Sequence, residues 1–258
     1  MHRDAILAAY DDQIRRHPGP DGPDVRVEAG DGVVCVIAGA DGWSGVTWSD
    51  LSERDADAAI AATVGRFARL SHEWEWKHYS HDRPADLPER LRAAGLRPEP
   101  AEALLVAEIG ALALETPPPP GVQVRAVADA AGVDALVAVH DEVFGEDHSG
   151  LGRIMLAGIG REPAAMTGVV AYAGAAPVAA ARVEFHAGTD FASLWGGGTL
   201  PAFRHRGVFR SLVAFRARLA AERGFRYLQV DALPASRPIL QQLGFVELAT
   251  TTPFVHGR

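Results

Sequence analysis

The second half of the chain alternates between two hydrophobic periods. Val122-Gln123-Val124-Arg125 alternates apolar and polar, as a half-buried strand does. From residue 129 to 144 the period lengthens, and Val133, Leu136, Val137 and His140 share one helical face. A second helix is expected over 151–159. Residues 166–173 and 177–187 read as a hairpin turning at Gly174, and 191–200 as the next strand, stopped by Pro201. Val208, Leu212, Phe215 and Leu219 then form the apolar stripe of a helix lying on a sheet. Arg210, Arg216, Arg218 and Glu222 fall largely on its other side. Gly224 ends that helix, 226–231 is strand-like, and 236–243 is a short helix with Pro238 in its first turn and Gly244 as its stop.

The first half repeats part of this order. Strand-like residues 74–79 precede a helix over 86–96, with Pro88 in its first turn and Gly95-Leu96 at its end, and then a strand at 103–106. The end of the chain has the same succession: a short helix, Gly244-Phe245, and a strand at 251–255. The cadence reads as an internal repeat at roughly 150-residue spacing. Between the halves, Thr116-Pro117-Pro118-Pro119-Pro120-Gly121 cannot enter a helix or central strand. The expected organisation is an N-terminal domain over 1–115, a Pro-rich linker over 116–121 and a C-terminal domain over 122–258.

Composition narrows the class without naming it. With 258 residues, 48% apolar and 22% charged, the chain has globular values and can bury a core. No apolar run approaches the ~20 residues that span a bilayer, so no membrane partner is expected. The N-terminus mixes acids and bases and is not read as a signal peptide; a cytoplasmic protein is expected. The net charge of −8, with no compensating basic stripe, argues against nucleic acid. Cys35, the one cysteine, sits in the apolar run Val33–Ile37 and is expected to be a buried strand residue. The ten histidines show no metal-ligand spacing, so no metal is expected.

The strongest local signal is LWGGGTLPAFRHRGVFRSL, residues 194–212. A strand, a basic turn and a helix N-terminus in that order form an anion-binding device. The first-turn amides lack intrahelical partners, the dipole is positive there, and Gly207 admits a phosphate close to the backbone. Arg204-x-x-Gly207-x-Phe209 resembles the Gln/Arg-x-x-Gly-x-Gly/Ala loop of the GNAT acetyltransferases, with Phe209 where Gly or Ala is usual. The resemblance extends from about Val122 to the C-terminus. It implies an α/β (α+β) fold of two GNAT-like lobes, each a mixed, mostly antiparallel sheet flanked by helices. The first lobe is degenerate, because Trp48-Ser49-Asp50-Leu51-Ser52-Glu53-Arg54-Asp55 puts acids where the phosphate loop should be.

What the resemblance implies chemically is transfer of an acetyl group from acetyl-CoA to a primary amine, on a small molecule or peptide, without a covalent enzyme intermediate. The loop would hold the pyrophosphate through the backbone from His205 to Arg210, namely His205, Arg206, Gly207, Val208, Phe209 and Arg210. Ser211 would cap or contact a phosphate, and Arg204, Arg206 and Arg210 would add charge. The preceding strand would splay from its neighbour, so that Gly198, Thr199 and Leu200 pair with pantetheine. Gly196-Gly197-Gly198 leaves that strand clear of side chains. The family's usual tyrosine acid would stand at Leu240, so Ser236 or a water is expected in its place. Glu184 is the first choice for the base, with His186 and Asp231 as alternatives. Glu142, Glu146, Asp147 and His148 fall where this family borders its acceptor pocket. A homodimer is compatible with all of this. The rival reading is a non-catalytic acyl-CoA sensor or scaffold.

Overall fold

The computed structural model describes residues 2–19, 25–70, 72–161 and 163–257. Two compact units divide the chain. Unit 1 takes Met1–Leu105, Asp231–Pro238 and Glu247–Arg258; unit 2 takes Val106–Val230 and Ile239–Val246. The units therefore differ from the contiguous stretches 1–115 and 122–258, because the last strand of the chain belongs with the first unit.

Unit 1 opens with helix α1 (Arg3–Tyr10), which continues into a wide π-helical turn at Asp11–Arg16. Strands β1 (Arg26–Gly30), β2 (Val33–Ile37) and β3 (Gly45–Ser49) form an antiparallel meander. Helix α2 (Ala56–Phe67) crosses over to β4 (Trp74–Tyr79), which runs parallel to β3. Helix α3 (Leu87–Ala93), the two-residue β5 (Arg97–Pro98) and β6 (Glu102–Glu108) follow. Leu51, Ile60, Phe67, Trp76, Leu87 and Leu91 pack in its core. Cys35 is fully buried on β2, and burial raises its thiol above the ordinary value despite the opposing Arg66 charge.

Unit 2 repeats the plan. It comprises β7 (Val122–Ala126), α4 (Ala130–Phe144), α5 (Ser149–Gly158), β8 (Met166–Ala173), β9 (Ala176–Phe185), β10 (Phe191–Thr199), α6 (Val208–Glu222) and β11 (Tyr227–Ala232) up to Val230, Asp231 and Ala232 falling in unit 1. Helix α7 (Arg237–Gln242) leads to β12 (Val246–His256). Strands β7 through β10 are antiparallel neighbours, and β11 joins β10 in parallel. Asp129 caps α4 by accepting from Gly132 N at 2.8 Å, and Gly145 ends it in the left-handed region. One sheet face packs on Val208 and Leu212 of α6; the other packs on Val133, Leu136 and Val139 of α4 and Met155 of α5. The last strand, β12, pairs antiparallel with β4, from Thr251 opposite Tyr79 to His256 opposite Trp74. Strand, helix, parallel strand, short helix and strand thus succeed one another in both halves, as the sequence cadence predicts.

Candidate functional site

The site is built around the end of β10. Its parallel pairing with β11 covers only Phe191–Tyr227, Ala192–Leu228 and Ser193–Gln229, and no β10–β11 register continues beyond Ser193. Toward β9 the register slips between Trp195 and Gly198, a bulge in which Gly196 takes φ +59°. Leu200 N donates to Val178 O at 2.9 Å, so strand alternation turns the backbone groups of Thr199 away from β9. Two of the expected pantetheine contacts, the amides of Gly198 and Leu200, are thus not equivalent to that of Thr199.

The basic turn follows immediately. His205 and Gly207 both have left-handed backbones, at φ +61° and +87°. A Cβ added to Gly207 would meet nothing within 4 Å, so the cradle is open. Ser211 N bonds Gly207 O at 3.2 Å, and the amides before it in the turn precede the intrahelical ladder. Arg204 is tied back through Nε to Thr199 O at 3.0 Å, Arg206 stacks over Phe203, and Arg210 donates to Gln242 Oε1 at 3.2 Å. None of these three arginines has a carboxylate partner among the described residues. Val208 is buried in the core, and the Phe209 ring packs under the bulge, where a Cβ on Gly197 would come within 2.8 Å of it. Ser211 is buried and its hydroxyl donates to Val208 O at 2.8 Å, so that hydroxyl is spent within the helix rather than offered to a phosphate.

Arg216 differs most from its expected place. It is buried on α6, with Nε donating to Leu212 O at 3.1 Å and Nη1 to the carbonyls of Arg182 (3.1 Å) and Trp195 (3.4 Å). It pins the two strands together at the bulge. Burial, and then the charge of Arg182, push the guanidinium down to about 9.

The proton-handling candidates are mostly engaged. Glu184 accepts from Arg182 Nε at 2.7 Å, with both side chains about one-fifth exposed. His186 Nε2 lies 2.7 Å from the buried Ser193 hydroxyl. Asp231 belongs to unit 1, where it pairs with Lys77 at 3.1 Å. Ser236 also falls in unit 1, its hydroxyl donating to Leu233 O at 3.2 Å. Leu240 is buried, and the Tyr227 ring packs tilted against Phe191 with centroids 5.0 Å apart. Of the acids near α4 and α5, Asp147 caps Ser149 through N and Oγ, and Asp141 accepts from His148 N.

Side chains outside the expected set complete the surroundings. Gly196 faces His140 and Arg182, and Gly198 faces Val143 and Phe144. His140, Trp195 Nε1 and Thr199 Oγ1 are buried polar groups without a partner, all beside β10. The sequence signal for His140 was its place on an otherwise apolar helical stripe. Buried orphan donors and acceptors along a strand that is paired with β9 but open on the β11 side after Ser193 fit an extended ligand that brings its own hydrogen-bonding groups. Together with the open cradle, they suit an anionic, amide-bearing molecule such as acetyl-CoA. Among the described residues, no group of three or more His, Cys, Asp or Glu is arranged to hold a metal ion, and no helix is long and apolar enough to cross a membrane.

Solved structures share this fold across the chain. A GCN5-related N-acetyltransferase from Kribbella flavida is similar at 20% identity and a TM-score of 0.73, covering 100% of this chain and 96% of its own. A tandem GNAT protein from the clavulanic acid biosynthesis pathway is similar at 11% identity and TM-score 0.60, covering 99% and 95%. A GCN5-related N-acetyltransferase from Sphaerobacter thermophilus matches at 13% identity and TM-score 0.56, covering 89% and 81%. No family model and no curated protein matches the sequence. The chain has the GNAT fold, in the tandem arrangement that its loop and its repeated cadence indicate.

Proposed function

We propose that the protein is an N-acetyltransferase that moves an acetyl group from acetyl-CoA directly to a primary amine on a small molecule or peptide. The observation that carries the reading is the open left-handed turn Arg204–Gly207, set between a strand that loses its partner after Ser193 and a helix N-terminus. In this reading the amides from His205 to Arg210 hold the pyrophosphate, with Arg204, Arg206 and Arg210 supplying charge. The Thr199 amide is the best-turned group for pairing with pantetheine, its carbonyl being held by Arg204 Nε. The thioester oxygen lies against an amide near the bulge, a preorganised donor for developing negative charge. Unit 1 carries Ser52 and Asp55, hydrogen-bonded to each other, where unit 2 has its basic turn, so only unit 2 holds the co-substrate.

Two observations favour a second reading, an acyl-CoA sensor or scaffold. Glu184 is held by Arg182, and the position expected for a tyrosine acid is the buried Leu240. Thiol release from acetyl-CoA against a panel of primary amines separates the two. Catalysis predicts release that depends on one class of amine. Acetyl-CoA binding without release above the uncatalysed rate across the panel would favour the sensor.

A further inference from the structure

The deepest unspent chemistry in unit 2 is a histidine with nothing to bond. His140 is 1% exposed, neither its Nδ1 nor its Nε2 makes a well-formed hydrogen bond, and the one polar group that favours its charged form from the bulge is the Gly196 backbone. Its ring lies against the bulge of β10. A Cβ at Gly196 would come within 2.7 Å of His140 Cε1 and 3.1 Å of Nε2, so only glycine permits this approach. The bulge is also where Trp195 Nε1 and Thr199 Oγ1 are orphaned. A polar ring that gives up water without gaining a partner needs an explanation, and a ligand group arriving at the bulge provides one.

A second histidine links this buried ring to the surface. His148 packs on His140 with ring centroids 5.2 Å apart, and its side chain is 22% exposed. Two acceptors surround its Nδ1, Glu146 O at 2.9 Å and Asp141 Oδ1 at 3.2 Å. They hold the proton of a neutral ring on Nδ1 and leave the Nε2 lone pair free. The charged groups that face His140 are Asp141 on its own helix, His148 ahead of α5, and Arg182 on β9, which is itself paired with Glu184. Burial first, then His148 and Arg182, push the His140 ring down to about 4 against the weaker pull of the Gly196 backbone and Asp141. The ring is therefore neutral, with a lone pair available, throughout the neutral pH range.

We propose that His140 is the catalytic base that takes the proton of the acceptor amine, and that His148, oriented by Asp141, exchanges that proton with solvent. The inference rests on the acyl-transfer reading. As the amine lone pair forms the C–N bond to the acyl carbon, one N–H proton moves to the free ring nitrogen of His140. The C–S bond breaks with its electron pair on sulfur. The imidazolium then gives its proton to that thiolate, or through His148 to water, and returns to neutral. The products are an amide and a thiol. One ring serving both transfers also accounts for a site with Leu240 in place of a tyrosine and with Glu184 committed to Arg182.

The test uses the full chain labelled at histidine with ¹³C and ¹⁵N. The His140 ring resonance is expected to titrate near pH 4 and to move when acetyl-CoA is added. His140→Gln is expected to slow thiol release with the best amine of the panel by about 100-fold or more, with acetyl-CoA affinity unchanged. His148→Gln is expected to slow it less, by about 10-fold. If acetyl-CoA binds but the His140 resonance does not move, or if His140→Gln retains the wild-type rate, the proposal is overturned and the acyl-transfer reading survives. If acetyl-CoA does not bind the wild-type chain, that reading falls and takes the proposal with it. Should His140→Gln fail to fold, the wild-type resonance decides.

Discussion

Three residues, one without a side-chain partner and two with charged ones, show how burial shapes this molecule. His140 in the folded chain sits at about 4, below the 6.5 of a free imidazole. The unfolded chain therefore binds a proton between those values that the folded chain refuses. Stability from this group is fully present above pH 6.5 and is lost as pH falls toward 4, on the order of 3 kcal/mol over the window. Urea unfolding from pH 7 to 4 is expected to show this loss, and His140→Gln to flatten it. Asp11 behaves in the opposite chemical sense with the same pH direction. Burial alone would raise its carboxyl, but the hydrogen bond with His81 and the Arg15 charge outweigh this and hold it below the ordinary value. Its contribution is present above the unfolded carboxylate pKa and disappears as pH falls through the lower folded one. Arg15 is the larger commitment in unit 1. It is 2% exposed, bonded to Asp82 at 2.6 Å and stacked 3.8 Å from the Tyr79 ring centroid. Asp82→Ala leaves the buried cation with Asp11 as its remaining carboxylate and is expected to cost about 3 kcal/mol in chemical denaturation.

The bulged strand is the element on which the site depends. Gly196 has a positive φ and a histidine pressed against it, so Gly196→Ala introduces both strain and collision. A loss of about 1–3 kcal/mol is expected by thermal or urea unfolding, with acetyl-CoA affinity falling as well. An equally stable variant with unchanged affinity would mean that the close approach of His140 to the bulge has no consequence. Most elements near this strand were legible in the sequence. The hairpin strand Met166–Ala173, the capped helix after Asp129 and the apolar stripe of α6 follow from local periodicity. What escaped was decided by distant partners. Arg216 lies on the polar side of a helical wheel, yet two strand carbonyls at the bulge and one on its own helix hold it inward. Glu184 was legible as a carboxylate on the right strand, but its bond to Arg182 two residues earlier depends on side-chain placement that periodicity does not encode. His140 was visible as an oddity in an apolar stripe, and only the bulge opposite it suggests a use.

Across the whole molecule, the repeated cadence was readable because each half spells out the same local steps. The membership of the last strand was not, because pairing Thr251–His256 with β4 is a choice between chain segments about 170 residues apart in sequence, as the Thr251 Oγ1 bond to His78 O illustrates (|i−j| = 173). The early helix Arg3–Tyr10 was missed for a simpler reason: only Ile6 and Tyr10 are buried, and the surrounding charges hide so short a stripe. In unit 1, Lys77 is enclosed by Asp231, Glu75 and Glu102, and its ammonium is raised because those charges outweigh the burial that would lower it. Asp231, a candidate base on sequence grounds, is thereby a structural counter-ion of unit 1. With acids at the start of its own crossover helix, this unit retains the fold without the cradle. In the proposed function the Arg204–Gly207 turn of unit 2 receives the phosphates of acetyl-CoA. Isothermal titration of acetyl-CoA into the full chain and into Gly207→Glu tests it most directly. One site per chain is expected for the wild type and no measurable binding for the variant, whose added carboxylate fills the cradle and repels phosphate. Equal binding by both proteins would contradict it.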